Sequence, residues 1–285
     1  MGLKTWFITG SNSGIGRRVT ECLLERGDRV AATSRRPTEL VDLAAKYGEQ
    51  LWTAQLDMLD PLGIRQTVQR AFAELGHVDV MFSNAGYLLA GAAEELTDSD
   101  ISRQIDTNLM GPIRLVKAAL PHLRAQGGGH IVQLSSMGGQ ITTSGTSAYN
   151  ATKWGVEGFI DAVAREVAAF GIEVTLVEPG NVPTNFSNSM TLAPQVDAYT
   201  GGPVAQLRQF LMTPGAVNAA AVSDLTRVAE AIIESTQTTP APRRLALGSD
   251  AYQLIRQSLA DRLSALDAQR NVAYGTDAVQ LSVGS

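Results

Sequence analysis

Residues 4–34 read KTWFITGSNSGIGRRVTECLLERGDRVAATS, and this stretch decides the fold. Lys4 to Thr9 is a short strand, broken by Gly10-Ser11-Asn12-Ser13-Gly14-Ile15-Gly16. Beyond the break Ile15, Val19, Cys22 and Leu23 recur at the spacing of one helix face, and Gly27-Asp28 ends the run. Arg29 to Ser34 is a second strand. Glycines between a strand and a helix let the chain turn tightly, present unpaired N–H groups at the helix N-terminus and admit a pyrophosphate to close range. The bland alternative is a plain strand-to-helix turn.

The alternation continues outward from this unit. The pattern predicts a helix over Glu39–Tyr47, a strand over Gln50–Gln55, a helix over Pro61–Leu75 and a strand over Val78–Phe82. After Ser83-Asn84-Ala85-Gly86 come a long helix from Ser99 to Arg124, a strand His130–Leu134, a helix carrying Tyr149 to about Phe170 and a strand Glu173–Val177. Short apolar strands alternating with helices predict an α/β fold, a doubly wound parallel sheet of Rossmann type. No repeat, low-complexity linker or charge block divides residues 1–285, so a single domain is expected. Past Pro179-Gly180 the pattern loosens, and 185–222 reads as short helices forming a substrate lid or a surface insertion. A helix over Ser223–Thr236, a strand over Arg244–Leu247 and a helix over Asp250–Ala268 follow. The C-terminal extension covers about 252–285, its tail fraying from Asn271.

Composition narrows the function. With 44% hydrophobic and 18% charged residues the chain reads as globular with a substantial core. A formal charge of −5 without a Lys/Arg stripe argues against nucleic acid as partner. The one cysteine, Cys22, forbids an internal disulfide, and the three histidines, His77, His122 and His130, lack ligand spacing, so no metal is expected. No apolar run has membrane-spanning length and the N-terminus carries no leader pattern, so a cytoplasmic protein is expected.

A second stretch, Ile131 to Lys153 (IVQLSSMGGQITTSGTSAYNATK), holds the chemistry. It runs from an apolar strand through Ser135-Ser136 and a small-residue loop into a helix on which Tyr149 and Lys153 share a face. An ammonium beside a phenol favours the phenolate and is expected to lower the Tyr149 pKa, making it a proton donor and acceptor at working pH. Ser136 would bring a hydroxyl to the same spot.

Together Thr9-Gly10-(x3)-Gly14-Ile15-Gly16, Asp57, Ser83-Asn84-Ala85-Gly86, Asn108, Ser136, Tyr149-(x3)-Lys153 and Pro179-Gly180 resemble the short-chain dehydrogenase/reductase family, from about Lys4 to Ala251. The longer tail and its GSDAYQL segment resemble the hydroxysteroid-dehydrogenase-like branch. Ser83 and Gln133 depart from the family's frequent asparagines.

The resemblance implies that Tyr149 is the acid/base, that Ser136 bonds the substrate oxygen, and that Lys153 tunes Tyr149 and holds the nicotinamide ribose. Asn108 would anchor a water relay, or else simply kink its helix. Cofactor contacts are implied for Gly10, Ser11, Ser13, Gly14, Ile15 and Gly16 at the turn and for Asn84, Ala85 and Gly86 along the ribose. Asp57 and Met58 are implied at the adenine, with Asp57 alternatively a cap for the helix at Pro61. Pro179, Gly180, Val182 and Thr184 would lie at the carboxamide, Thr184 alternatively a helix cap.

The second strand ends Thr33-Ser34-Arg35-Arg36, without the carboxylate that accepts from the 2′-hydroxyl of NAD. Ser34, Arg35 and Arg36 suit a 2′-phosphate, so NADP(H) is preferred over NAD(H) and reduction over oxidation; solvated surface arginines are the alternative. The substrate expected is a small carbonyl or alcohol against mostly apolar walls: Tyr87, Leu88, Met137, Gln140, Val182, Phe186, Met190 and Tyr199. A catalytically silent NADP(H)-binding regulator and an epimerase or dehydratase are the competing functions. The family further implies a homodimer or homotetramer.

Overall fold

Successive side chains of a strand point to opposite faces, and the first strand, β1 (Thr5–Thr9), is buried on both. Trp6 and Ile8 enter one core and Phe7 the other. The computed structural model describes residues 2–184 and 190–278. After β1 come α1 (Gly14–Glu25), β2 (Arg29–Ser34), α2 (Val41–Tyr47), β3 (Leu51–Gln55), α3 (Pro61–Leu75) and β4 (Val80–Ser83). Then follow β5 (Leu88–Ala90), α4 (Asp98–Ile105), α5 (Gly111–Ala125), β6 (Gly129–Leu134), α6 (Ser147–Val167) and β7 (Ile172–Pro179). The last elements described are β8 (Met190–Leu192), α7 (Gly202–Met212), α8 (Ala216–Ala219), α9 (Leu225–Ser235), β9 (Arg244–Leu247), α10 (Ser249–Asp267) and α11 (Arg270–Gly275).

Seven strands form one parallel sheet in the order β3-β2-β1-β4-β6-β7-β9, as the alternation predicts. Leu23, Leu40, Val228 and Ile232 cover the Trp6 face, while Ile64, Leu115, Val156 and Ile160 cover the Phe7 face. Strand order reverses between β1 and β4, and beyond the carboxyl ends of such a pair lies the crevice of an open α/β sheet. The loops after β1, β4, β6 and β7 all leave from that edge.

Three features differ from the sequence expectation. The long helix over Ser99–Arg124 is interrupted by one π turn, Asp106–Met110, between α4 and α5. The tail expected to fray from Asn271 contains α11, while residues 279–285 lie outside the described part of the chain. A second, two-stranded sheet joins β5 to β8 in parallel, Leu88 opposite Met190 and Ala90 opposite Leu192. Three-residue strands are too short to show a period.

That small sheet fastens the 190–212 segment to the body, and a buried ion pair reinforces it. Glu95 accepts from the N–H groups of Ala92 (2.7 Å) and Val196 (2.9 Å) and from Arg208 Nη2 (2.8 Å). Arg208 also donates to Ala193 O at 2.6 Å. Burial pushes the Glu95 carboxyl up, but the Val196 and Ala92 N–H groups and Arg208 overcome it and hold it below its usual 4.5. A carboxyl lowered by folding stabilises fully above that value and loses its contribution as pH falls through the folded one. Glu95→Gln leaves Arg208 buried without a counter-charge, a loss of about 3 kcal/mol for such a pair. Hydrogen exchange is expected to accelerate over 190–212 in this variant while the sheet amides stay unchanged, and acidification of the wild type below pH 4.5 should loosen the same segment first.

Candidate active site

At the glycine turn Asn84 latches β4 to β1. Its Nδ2 donates to Thr9 O (2.8 Å) and Gly10 O (3.2 Å), while Thr9 Oγ1 accepts from the N–H groups of Asn84 (2.9 Å) and Ala85 (3.0 Å). Gly16 packs beneath this latch, where a Cβ would sit 2.5 Å from Gly10 O and collide with Asn84 Nδ2. Gly14 needs its freedom, with φ +56° and Thr184 Cβ lying 3.5 Å from where its own Cβ would be. Ser13 precedes α1 without capping it by its side chain, and Ile15 packs on the core. Helix N–H groups behind a turn without bulk fit a dinucleotide's pyrophosphate. A cavity of about 300 Å³ opens there, lined by Ser13, Gly14, Arg17, Pro183, Thr184 and Asn218.

Ser11, expected as a cofactor contact, lies fully buried in the turn. Its N–H donates to Thr33 O (3.0 Å) and its hydroxyl to Ile8 O (3.1 Å), both inside the protein. At the end of β2, Ser34 Oγ accepts from the Arg36 N–H at 3.1 Å, and Arg35 is exposed. Arg36 pairs with Glu39 at 2.7 Å, and Glu39 also accepts from Asn12 Nδ2 at 2.8 Å. Sequence reasoning passed over Asn12 and Glu39; the one signal was the spacing of three between Arg36 and Glu39.

Asp57 Oδ1 accepts from the Leu59 N–H at 2.9 Å, and Met58 is buried against Gly111. The cap of α3 is Asp60, which accepts from the Leu62 N–H at 3.0 Å, so the capping alternative for Asp57 does not hold. Beyond β7, the Gly180 N–H donates to Leu247 O (2.9 Å) and the Asn181 N–H to Asp250 Oδ2 (2.8 Å). Val182 is buried in the core on the Trp6 face.

Asn108 lies in the π turn, 2% exposed, accepting from the Tyr87 N–H (3.1 Å) and donating to Tyr87 O (2.8 Å). A π turn spares a backbone carbonyl its helical partner and often marks a working position. A Cβ on Gly86 would sit 3.3 Å from Asn108 Oδ1, which brings the loop after β4 onto the same residue.

Ser136, just past β6, accepts from the Gly138 N–H at 3.0 Å and hydrogen-bonds the Tyr149 phenol. Gly138 leaves room for both, since a Cβ there would lie 3.2 Å from Tyr149 Cε1 and 3.4 Å from Ser136 Oγ. Lys153 Nζ donates to Leu134 O at 3.0 Å and stands 5.7 Å from the centre of the Tyr149 ring. Ser136, Tyr149 and Lys153 are therefore brought together, as the spacing predicts.

Their proton affinities are set first by burial. Burial pushes the Tyr149 phenol up and the Ser136 hydrogen bond partly offsets it, which reverses the expected lowering by Lys153. The same burial lowers Lys153 to about 8, against the opposing charge of Glu157. Among the expected substrate walls, Gln140 is turned away, its amide donating to Glu157. Leu88 is buried in β5, Tyr87 is half-buried beside Asn108, and Phe186 lies outside the described residues.

Residues 4–194 match the short chain dehydrogenase family. Oxidoreductase BOA17 of Botryotinia fuckeliana is 37% identical over 265 residues, covering 93% of this chain and 95% of that protein. Retinol dehydrogenase 5 of Homo sapiens is 34% identical, covering 87% and 81%. The crystal structure of a short-chain dehydrogenase from Streptomyces avermitilis superposes with a TM-score of 0.90 at 36% identity, over 97% of this chain and 99% of that one. The chain belongs to the short-chain dehydrogenase family, whose members named here are oxidoreductases.

A lysine held at about 8 in the fold and at its ordinary 10.5 when unfolded binds fewer protons in the native state between those values. Stability then rises with pH across that window, by up to about 3 kcal/mol from this group. Denaturant unfolding should find Lys153→Met more stable than wild type below pH 8, with the advantage shrinking toward pH 10.5.

Proposed function

We propose that this protein is an NADP(H)-dependent oxidoreductase that interconverts a ketone or aldehyde and an alcohol on a fairly apolar small molecule, working as a reductase. The observation that carries the reading is the meeting of Ser136, Tyr149 and Lys153 at the sheet edge from which the glycine turn also leaves. A nicotinamide dinucleotide held at that turn supplies the hydride.

Tyr149 donates its phenolic proton to the carbonyl oxygen as that oxygen gains charge. Its raised proton affinity keeps the phenol protonated before reaction, as a general acid requires. Ser136 donates to the same oxygen and fixes it against the phenol. Lys153 holds the nicotinamide ribose and stabilises the phenolate left after transfer. Asn108, locked to Tyr87 and resting under Gly86, keeps the loop after β4 in place and anchors the water through which Tyr149 is reprotonated.

Gly10, Ser13, Gly14, Ile15 and Gly16 cradle the pyrophosphate, while Asn84, Ala85 and Gly86 line the ribose. Asp57 and the Met58 backbone meet the adenine, and Pro179, Gly180, Val182 and Thr184 border the carboxamide. Ser34, Arg35 and Arg36 receive the 2′-phosphate, Arg36 leaving Glu39 to do so. The absence of a carboxylate at the end of β2 supports NADPH over NADH.

Measuring kcat/KM with both cofactors on a panel of apolar ketones tests this. NADPH is expected to be preferred, and Arg35→Ala should weaken NADPH use about tenfold or more with little effect on NADH. Tyr149→Phe should cut turnover about a hundredfold or more. A preference for NADH overturns the cofactor assignment, and undiminished turnover in Tyr149→Phe overturns the mechanism. Turnover without net NADPH loss would point to an epimerase or dehydratase.

A further inference from the structure

Behind the reaction residues lies a cluster of charge that the mechanism above does not use. Glu157 stands one helical turn beyond Lys153 on α6, with its side chain 3% exposed. Its carboxylate accepts from Ser135 Oγ at 2.5 Å and from Gln140 Nε2. Ser135 immediately precedes Ser136, and Gln140 closes the short helical turn that follows it. One carboxylate therefore grips the loop on both sides of the serine that bonds Tyr149. Gly139 backs directly onto Glu157 Oε1, where a Cβ would collide with the carboxylate.

The other charges facing Glu157 come from three elements. On α6 these are Lys153 and, one turn further on, Asp161. On β7 it is Glu178, 2% exposed, and on β9 Arg244, which bonds Glu157 (2.6 Å), Glu178 and Asp161. Arg243 adds a longer contact to Asp161 at 3.5 Å. Burial, and then the Glu157 charge, push Glu178 up to about 7. An isolated hydrophobic contact would hold the loop without these desolvation costs. A carboxylate does two things such a contact cannot: it takes two hydrogen bonds at fixed geometry and it places a negative charge near Lys153.

We propose that Glu157 is the positioning residue of this active site, its buried carboxylate fixing Ser136 through Ser135 and Gln140 while its charge sustains the Lys153 ammonium. The inference rests on the reductase reading only for its kinetic arm. Removing the charge disfavours the ammonium, so Lys153 loses its proton at lower pH and the Tyr149 phenol, deprived of the cation, ionises at higher pH.

The test compares wild type, Glu157→Gln and Ser135→Ala. Ultraviolet difference titration of the cofactor-free protein, with Tyr149→Phe as the blank, reads the phenolate directly. Glu157→Gln should move that titration upward, shift the alkaline limb of kcat downward and lower kcat about tenfold, leaving NADPH affinity within about twofold of wild type. Ser135→Ala, which loses one grip and keeps the charge, should lower kcat with neither titration moved. A Glu157→Gln enzyme with wild-type kcat and unmoved titrations overturns the proposal, as does a loss of kcat confined to lowered thermal stability. Should Glu157→Gln not fold, unchanged kcat in both Ser135→Ala and Gln140→Ala overturns it. A wild type that reduces no ketone defeats the reductase reading alone, because the phenolate titration still decides the role of Glu157.

Discussion

The cross-strand latch between Thr9 and Asn84 is the constraint on which the rest of the structure depends. A parallel sheet whose strand order reverses must separate its loops at the switch point, and the crevice so formed has no backbone ladder to define it. Thr9 supplies an acceptor to two N–H groups at the end of β4, and Asn84 returns two donations to the end of β1. This fixes the glycine turn relative to the loop after β4. Gly16 can then have no side chain, because the space it would fill is already the latch. From there Gly86 carries the constraint to Asn108, and Asn108 carries it to Tyr87.

Burying charge is costly unless it is paired, and the chain meets that cost in three ways. Glu95 is surrounded by backbone N–H groups and one guanidinium, so it stays ionised and ties the 190–212 segment down. Glu157 shares an arginine with Glu178, and Glu178 gives way by holding its proton more tightly. Lys153 has a carbonyl partner at 3.0 Å and only a neighbouring carboxylate's field, so its ammonium is weakened. Glu95 and Glu157 each tie distant segments together. The lysine is left with a weakened ammonium beside the Tyr149 ring.

Much of this was legible in the sequence because it follows from period and spacing. The βαβ unit, the parallel sheet and the shared face of Tyr149 and Lys153 each rest on a local repeat that a helix or strand imposes. What stayed hidden depends on partners far apart in the chain. Ser11 sits in the glycine turn, yet the inward turn of its hydroxyl is decided by Ile8 and Thr33. The direction of the Tyr149 shift was misjudged because a helix wheel shows the neighbouring charge and not the depth of burial, which outweighs it. The pairing of β5 with β8 and the grip of Glu157 on Gln140 join segments with no sequence signal in common.

The division of labour along the chain follows from these anchors. Residues up to β7 supply six of the seven sheet strands, the glycine turn and Ser136, Tyr149 and Lys153, and they are fastened by the sheet itself. The 190–212 segment is fastened separately, by a three-residue strand and one buried ion pair. Its apolar face meets β5 directly after Tyr87, the residue that Asn108 holds. Tyr87 therefore sits between the strand partner of the 190–212 segment and the π turn that holds Asn108.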